Sequence, residues 1–305
     1  MAEGDMQKMS ELLELFSEFG TVETDVPLSK MTTLRIGGCA SYVVYPENTL
    51  GLDALMHVIL ERGIPYKVIG KGSNLLCSDR RFDGVIIRLD RFDDFFFMND
   101  ALVAQAGCSI IALSYQAMKN GLSGLEFASG IPATVGGVTF MNAGAYRSSV
   151  SEIIDGVFIY RDGRYEWLDN KDCRFGYRSS IFQSHPDWII VAVRFLLKKS
   201  EVNEIRELMD SRRERRMKSQ PLNMPSAGSV FRNPDDIPAW KLIEGIGYRG
   251  RRIGDAMVSD KHVNFIVNAG NAKAEDFLEL VNEIKDQVEE KYHVRLHMEV
   301  ERFNW

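Results

Sequence analysis

Two glycine clusters have the residue types and spacing best suited to chemistry. The first, Gly70-Lys71-Gly72-Ser73-Asn74 with Leu75, directly follows an expected strand over 66–69. Glycine has no Cβ, so the main-chain N–H groups of such a loop can turn inward and approach a phosphate closely. Ser73 and Asn74 add polar side chains. The order G-x-x-x-x-G-K-[ST] is absent, and no glycine stands at 75 to complete G-x-G-x-x-G. By itself the segment is a tight turn or a phosphate cradle. The second cluster, Pro132-Ala133-Thr134-Val135-Gly136-Gly137, runs on to Asn142-Ala143-Gly144-Ala145. Pro132 is expected to open a helix whose free N–H groups attract an anion. Glycine inside a helix costs about 1 kcal/mol relative to alanine. Either a ligand or another element must therefore come close at Gly136 and Gly137. Two such clusters in one unit favour a nucleotide or dinucleotide ligand.

A third feature is local charge. Between Arg212 and Lys218 five basic residues stand against one acidic residue, Glu214, in a chain whose net charge is −6. The pI near 5.5 excludes a general nucleic-acid binder, while a local basic site remains compatible with an anionic ligand. The apolar share of 45% and charged share of 26% are those of a globular chain and exclude whole-chain disorder. No apolar run reaches the ~18–20 residues of a membrane helix, and MAEGDMQKMS has no signal-peptide centre. A cytoplasmic protein with no membrane or nucleic-acid partner is expected. Cys39, Cys77, Cys108 and Cys173 are scattered, with no C-x-x-C pair, so reduced thiols are expected. His293 and His297 are spaced to share a strand face but lack a third ligand, and no metal is expected.

The elements that must position these residues alternate in type. Helices are expected over 10–19, with Ser10 as cap, and over 49–62, 109–119, 201–217, 236–246 and 274–291. Strands are expected over 42–45, 66–69, 85–89, 102–106, 189–197 and 294–303, with another around Val230. Asp162-Gly163 joins a hairpin of 157–160 and 164–168. Antiparallel hairpins beside helical crossovers indicate an α+β fold. With length suggesting about two domains, the change of character near 199–201 marks the boundary.

The order and spacing of motifs then become specific. Thr33-Leu34-Arg35-Ile36-Gly37-Gly38, IGKGSNLL (69–76), GLSGLEFASGIPATVGGVTFMNAGAY (121–146), FGYRSSIF (175–182), QPLNMPSAGSVFRNP (220–234), GDAMVSDKHVNFIVN (254–268) and HMEVE (297–301) follow one another. In this order they resemble the UDP-N-acetylenolpyruvoylglucosamine reductase family, from about residue 25 to 303. The short spacing over 178–200 resembles the second type of that family, which lacks an inserted tyrosine-bearing loop. The resemblance implies a two-lobed FAD-binding domain of the vanillyl-alcohol-oxidase type and a smaller C-terminal α+β substrate domain. Residues 1–24 would form an N-terminal helical segment, 25–199 the FAD domain (lobes about 25–89 and 90–199) and 200–305 the substrate domain.

It also implies an oxidoreductase of peptidoglycan-precursor synthesis, and with it roles in cell-wall biogenesis, cell shape and division. NADPH would reduce non-covalent FAD, which would then reduce UDP-N-acetylglucosamine-enolpyruvate. FAD would lie across 70–75 and 132–145. Arg178 matches a carboxylate or its enolate, although by type alone it is a surface ion-pair residue. Glu299 would hydrogen-bond or protonate the enolate if its pKa is raised, and Ser229 would deliver the proton to carbon. Arg178 precedes the boundary and the other two follow it, so the resemblance implies a site assembled from both domains. Tyr177, Lys218 or Gln220, Asn233, and Lys261 or His262 are implied substrate contacts. Ser219, between Lys218 and Gln220, leaves the register there open. Arg147 stands where the family continues Ala-Tyr-Gly, at a position suited to positive φ. No obligate protein partner is implied. The alternatives are another FAD oxidoreductase of this fold acting on an alcohol or sugar, and a non-catalytic nucleotide-binding module.

Overall fold

The computed structural model describes residues 3–305. The first part of the chain runs α1 (Glu3–Ser17), β1 (Gly20–Pro27), β2 (Cys39–Pro46), α2 (Thr49–Glu61), β3 (Tyr66–Val68), β4 (Leu75–Cys77), β5 (Phe82–Ile87), β6 (Phe95–Met98), β7 (Ala101–Gln105) and α3 (Ile110–Lys119). Longer helices follow at α5 (Val202–Ser219) and α7 (Ala274–Tyr292), with the short α4 (Val135–Phe140) and α6 (Ala239–Gly245). Polar caps set several of these boundaries. Asn48 accepts from the N–H groups of Leu50 and Gly51 at α2, and Ser109 accepts from Ala112 at α3, removing N–H groups that a helix end leaves unpaired.

The chain divides into two compact units. The first takes the residues up to Asp25, Ser41–Gly70 and Asp83–Arg213. It holds a four-stranded sheet, order β1-β2-β5-β3, and a five-stranded sheet. The second sheet places Arg164–Asp169 beside Ile154–Arg161, then Ile189–Leu196, β7 and the edge strand β6, with every pair antiparallel. Its core gathers Phe16, Leu52, Leu55, Val157, Val193 and Phe195 among others, all fully buried. The second unit takes Val26–Ala40, Lys71–Phe82 and Glu214–Trp305. Here α6, α7 and the strands Ala256–Val258 and Ile266–Asn268 enclose a core around Phe277, Leu280 and Ile284, joined by the early residues Leu34, Ile36 and Leu76.

Several expectations are corrected. Compactness divides the chain inside α5, at Arg213 and Glu214, and assigns two early segments to the second unit; the expected cut near 200 was single. The N-terminal segment is not helical to residue 24, because β1 begins at Gly20, and α1 starts well before Ser10. No strand forms around Val230, where Phe231 and Met298 make one isolated antiparallel bridge. The expected strand over 294–303 shortens to Glu301–Phe303, which pairs in parallel with β4. His293 lies outside it as the left-handed C-cap of α7, so His293 and His297 share no strand face.

Candidate functional site

In the second unit the loop between β3 and β4 has the donor set of an anion cradle. Among the described residues no protein acceptor takes the main-chain N–H of Lys71, Gly72, Ser73 or Asn74. Gly72 has φ 59°, and a Cβ there would collide with the Met31 carbonyl oxygen. Only glycine seats this loop on the Met31–Thr32 backbone. Thr33 N–H donates to the Gly72 carbonyl at 3.2 Å, which fixes the loop from the other side. Leu75 is buried and starts β4.

Asn74 connects the loop to the C-terminal segment. Its Nδ2 donates to the Glu299 carbonyl (3.1 Å), and its own carbonyl accepts from Glu301 N–H (3.0 Å). Glu299 N–H in turn donates to the Val230 carbonyl at 2.7 Å, while Arg232 N–H donates to the His297 carbonyl at 2.9 Å. Residues 230–232 and 297–299 thus run side by side, with Glu299 opposite Val230, the residue after Ser229. Ser229 follows Gly228 (φ 78°) and is flanked by buried Ala227 and Val230. Buried Asn264 secures the segment: its Oδ1 accepts from Phe231 N–H, its Nδ2 donates to the Phe231 carbonyl, and its own carbonyl accepts from Val230 N–H. Sequence reading did not single out Asn264. Its signal was an amide between apolar Val263 and Phe265, a position where a buried amide must find partners.

The first unit holds the second glycine cluster, and here the expected anion site does not form. Pro132 does not start the helix. Thr134 is the N-cap, and its Oγ1 accepts from Gly137 N–H at 3.2 Å. Val135 N–H donates to the Cys108 carbonyl and Gly136 N–H to the Ala106 carbonyl, so the first turn of α4 has no donors left for a phosphate. Gly136 is explained by another element: a Cβ would press on that of Ala106 at 3.2 Å. A Cβ on Gly70 would lie 2.6 Å from Thr134 Oγ1. Ala133 is tied into the same loop, its carbonyl accepting from Ile110 N–H. After α4, Asn142 is buried with φ 42°. Ala143 exchanges main-chain bonds with Val138 and Val150. Gly144 and Ala145 pair with Ser149 and Ser148.

Arg178 lies in the same unit, in a two-residue turn closed by reciprocal Gly176 and Ser179 main-chain bonds of 3.0 and 3.1 Å. Its φ is 53°. The guanidinium donates from Nη2 to the Gly144 carbonyl at 2.7 Å and lies over the Tyr177 ring, 5.1 Å from its centroid. A cation is thereby fixed beside the Asn142–Ala145 turn. Tyr177 itself is 56% exposed.

The remaining candidates differ in setting. Lys218 is 81% exposed and sits 3.9 Å from Glu214, whereas Gln220 has a buried Oε1 with no hydrogen-bond partner among the described residues. Asn233 caps α6 through Ala239 N–H. Lys261 Nζ donates to the Met217 carbonyl near the end of α5, and Lys261, Met217, Leu222 and Met257 line an open groove of about 470 Å³. His262 is half-buried against Phe265, and its Nδ1 accepts from Asn264 N–H. Among the described residues no three His, Cys, Asp or Glu side chains converge as metal ligands, and no helix is long and apolar enough to cross a membrane.

With this geometry described, comparison with known proteins is decisive. The family profile for the C-terminal domain of UDP-N-acetylenolpyruvoylglucosamine reductase matches residues 220–303, and an FAD-binding domain profile matches residues 40–169. A UDP-N-acetylenolpyruvoylglucosamine reductase from Anoxybacillus flavithermus is 41% identical over 298 residues, covering 97% of this chain and 98% of its own. The chain belongs to the UDP-N-acetylenolpyruvoylglucosamine reductase family. A reductase of this name from Bacillus cereus is 40% identical over 297 residues, 97% of this chain and 98% of its own. The crystal structure of the Thermus caldophilus reductase superposes with a TM-score of 0.82 at 36% identity, covering 94% of this chain and 100% of the other. The expected α+β class with an FAD-binding domain holds, and the chain is an FAD-containing oxidoreductase of peptidoglycan-precursor synthesis.

The residues present fit FAD. The four unpaired N–H groups of Lys71–Asn74 are an anion-binding donor set suited to a pyrophosphate. Cys77 and Cys108, the thiols nearest the 70–75 and 132–145 loops in sequence, are poor covalent tethers. Cys77 is fully buried, and burial pushes the Cys108 thiol up to about 11, leaving almost no thiolate at neutral pH.

Proposed function

We propose that the chain reduces UDP-N-acetylglucosamine-enolpyruvate to UDP-N-acetylmuramate with NADPH, and that Arg178, Ser229 and Glu299 are its catalytic residues. FAD would be held non-covalently with its pyrophosphate on the 70–75 loop and with 132–145 lining it rather than cradling an anion, and would supply a hydride from N5 to the terminal vinyl carbon. The protein's task is then electrostatic, because the electrons reach a group already bearing a carboxylate. The Arg178 guanidinium opposes that charge with planar, permanently charged donors. Glu299, as a carboxylic acid, hydrogen-bonds the enolate oxygen. Ser229 Oγ–H gives its proton to the carbon bearing the carboxylate. A serine hydroxyl is a weak acid, but the enolate carbon is a strong base and the transfer is short-range.

The observation that carries this reading is the Glu299 N–H to Val230 carbonyl bond of 2.7 Å. It ties the main chain of the proposed acid to the residue that follows the proposed proton donor, beside a loop with four unpaired N–H groups. The UDP-sugar is assigned to Tyr177, Gln220, Asn233, Lys261 and His262. The buried, unpartnered Oε1 of Gln220 favours it over solvated Lys218. We assign the chain to the second type of the family, acting in the cytoplasm without nucleic-acid, membrane or obligate protein partners.

The test is NADPH consumption by purified flavoprotein with and without the enolpyruvyl substrate. Consumption that depends on the substrate is expected. Oxidation at the full rate with oxygen alone would indicate an oxidase of the same fold. A protein without a flavin band after FAD addition would indicate a non-catalytic nucleotide binder.

A further inference from the structure

The geometry points to Asn142 and Gln183 as positioning residues for Arg178, an inference that rests on the proposed role of that arginine. Arg178 has a left-handed backbone, φ 53°, which a non-glycine residue adopts only at an energetic cost. Such a conformation persists where its surroundings over-determine it. Two side chains do so here. Asn142 Nδ2 donates to the Gly176 carbonyl at 2.7 Å, and Asn142 Oδ1 accepts from Ser151 N–H at 3.1 Å. The Asn142–Gly144 turn is thereby fastened to the residue that closes the Arg178 turn. Gln183 Nε2 donates to the Arg178 carbonyl at 3.2 Å and to the Phe140 carbonyl at 3.3 Å.

The result is a closed circuit. Phe140 and Asn142 hold the backbone around Arg178, and Gly144, two residues after Asn142, receives its guanidinium at 2.7 Å. The backbone and the charged end are therefore referenced to the same five-residue segment. Asn142 spends both an amide N–H and its carbonyl oxygen on this work. Its contribution to the flavin side is through Arg178, in addition to any main-chain contact.

The experiment separates the two half-reactions in stopped flow, using holoenzyme and the variants Asn142→Asp and Gln183→Met. Asn142→Asp keeps the acceptor for Ser151 and replaces the donor to Gly176 by a second acceptor. Gln183→Met keeps the volume and removes the bonds to the Arg178 and Phe140 carbonyls together with the Nε2 contact to Met141 Sδ at 3.4 Å. Each variant is expected to slow flavin reoxidation by the enolpyruvyl substrate on the order of 10–100-fold, as misplacement of a reacting group does. For Gln183→Met, flavin reduction by NADPH should stay within about twofold and flavin content should be unchanged. Asn142→Asp, at a residue assigned to the flavin site, is read as the ratio of reoxidation to reduction rate in its flavin-loaded fraction, which should fall by the same factor, on the order of 10–100-fold. In an Arg178→Ala background neither substitution should slow reoxidation further, because its target is gone. Equal slowing of both half-reactions, or an undiminished effect in the Arg178→Ala background, would overturn the inference. If Asn142→Asp does not fold, Gln183→Met decides the outcome by the same criteria. Should Arg178→Ala alone leave reoxidation unchanged, it is the catalytic assignment of Arg178 that fails.

Discussion

Tyr146 and Arg147 form a two-residue turn with φ of 57° and 64°, between the paired residues Ala145 and Ser148. Two successive positive φ values define a type I′ turn, which favours Asn and Gly. Tyr146 is tied down by its hydroxyl, which donates to the Arg212 carbonyl at 2.7 Å. Arg147 is exposed and has the glycine-type backbone that the sequence flagged. Arg147→Gly is therefore expected to raise stability by up to about 1 kcal/mol, the left-handed cost less the flexibility of glycine. A lower urea midpoint would contradict this. His262 gives a pH prediction. Burial, with repulsion from Arg249, holds its imidazole below the usual 6.5. The unfolded chain then takes this proton first as pH falls, so stability declines below about pH 6.5. In His262→Gln the fall in urea midpoint between about pH 7.5 and 5.5 should be shallower, and an equal fall would count against it. Thiol titration with the chain folded should reach Cys39 first. Cys173 is fully buried, with its thiol pushed up to about 12, and should react only on unfolding.

Among the elements, α4 and the C-terminal strand do the most positioning. Thr134→Ala removes the α4 cap and should cost about 1 kcal/mol by urea denaturation; a loss under a few tenths would mean that the Cys108 and Ala106 carbonyl bonds suffice alone. The strand Glu301–Phe303 pairs with β4 and so anchors the end of the loop with unpaired N–H groups. Ending the chain at Val300 should weaken FAD retention on gel filtration, and full retention would show that the loop stands without it. Helices with caps and apolar periodicity were legible in sequence: α2, α3 and α7 begin within one residue of their expected starts. Several strands were not, β1 and β6 among them. β1 is largely exposed and polar, without apolar alternation, and β6 is an edge strand whose Phe95, Phe96 and Met98 stay exposed. The alternation of Met298 and Val300 with His297 and Glu299 suggested a long strand, yet one bridge and a few main-chain bonds produce the same alternation. The glycines of α4 suggested close approach by a ligand or another element, and at Gly136 the structure supplies Ala106.

For the molecule as a whole, the decisive contacts are the least local. The Thr33 hydroxyl donates to the Ser226 carbonyl at 2.6 Å, and Asn268 Nδ2 donates to the Leu34 carbonyl at 3.2 Å. These bonds draw residues 26–40 into the second unit, and no composition shift along the chain announces them. The proposed roles of Arg178, Ser229 and Glu299 rest on seven ordered motifs, since each residue alone has an ordinary surface or turn reading. Their settings required the fold. The most direct measurement is anaerobic stopped flow on Ser229→Ala holoenzyme. Reduction of the flavin by NADPH should keep its normal rate, while reoxidation by UDP-N-acetylglucosamine-enolpyruvate should slow by on the order of 10²–10⁴-fold, the usual worth of a positioned proton donor. Full turnover by Ser229→Ala would contradict the assignment of the proton to this serine.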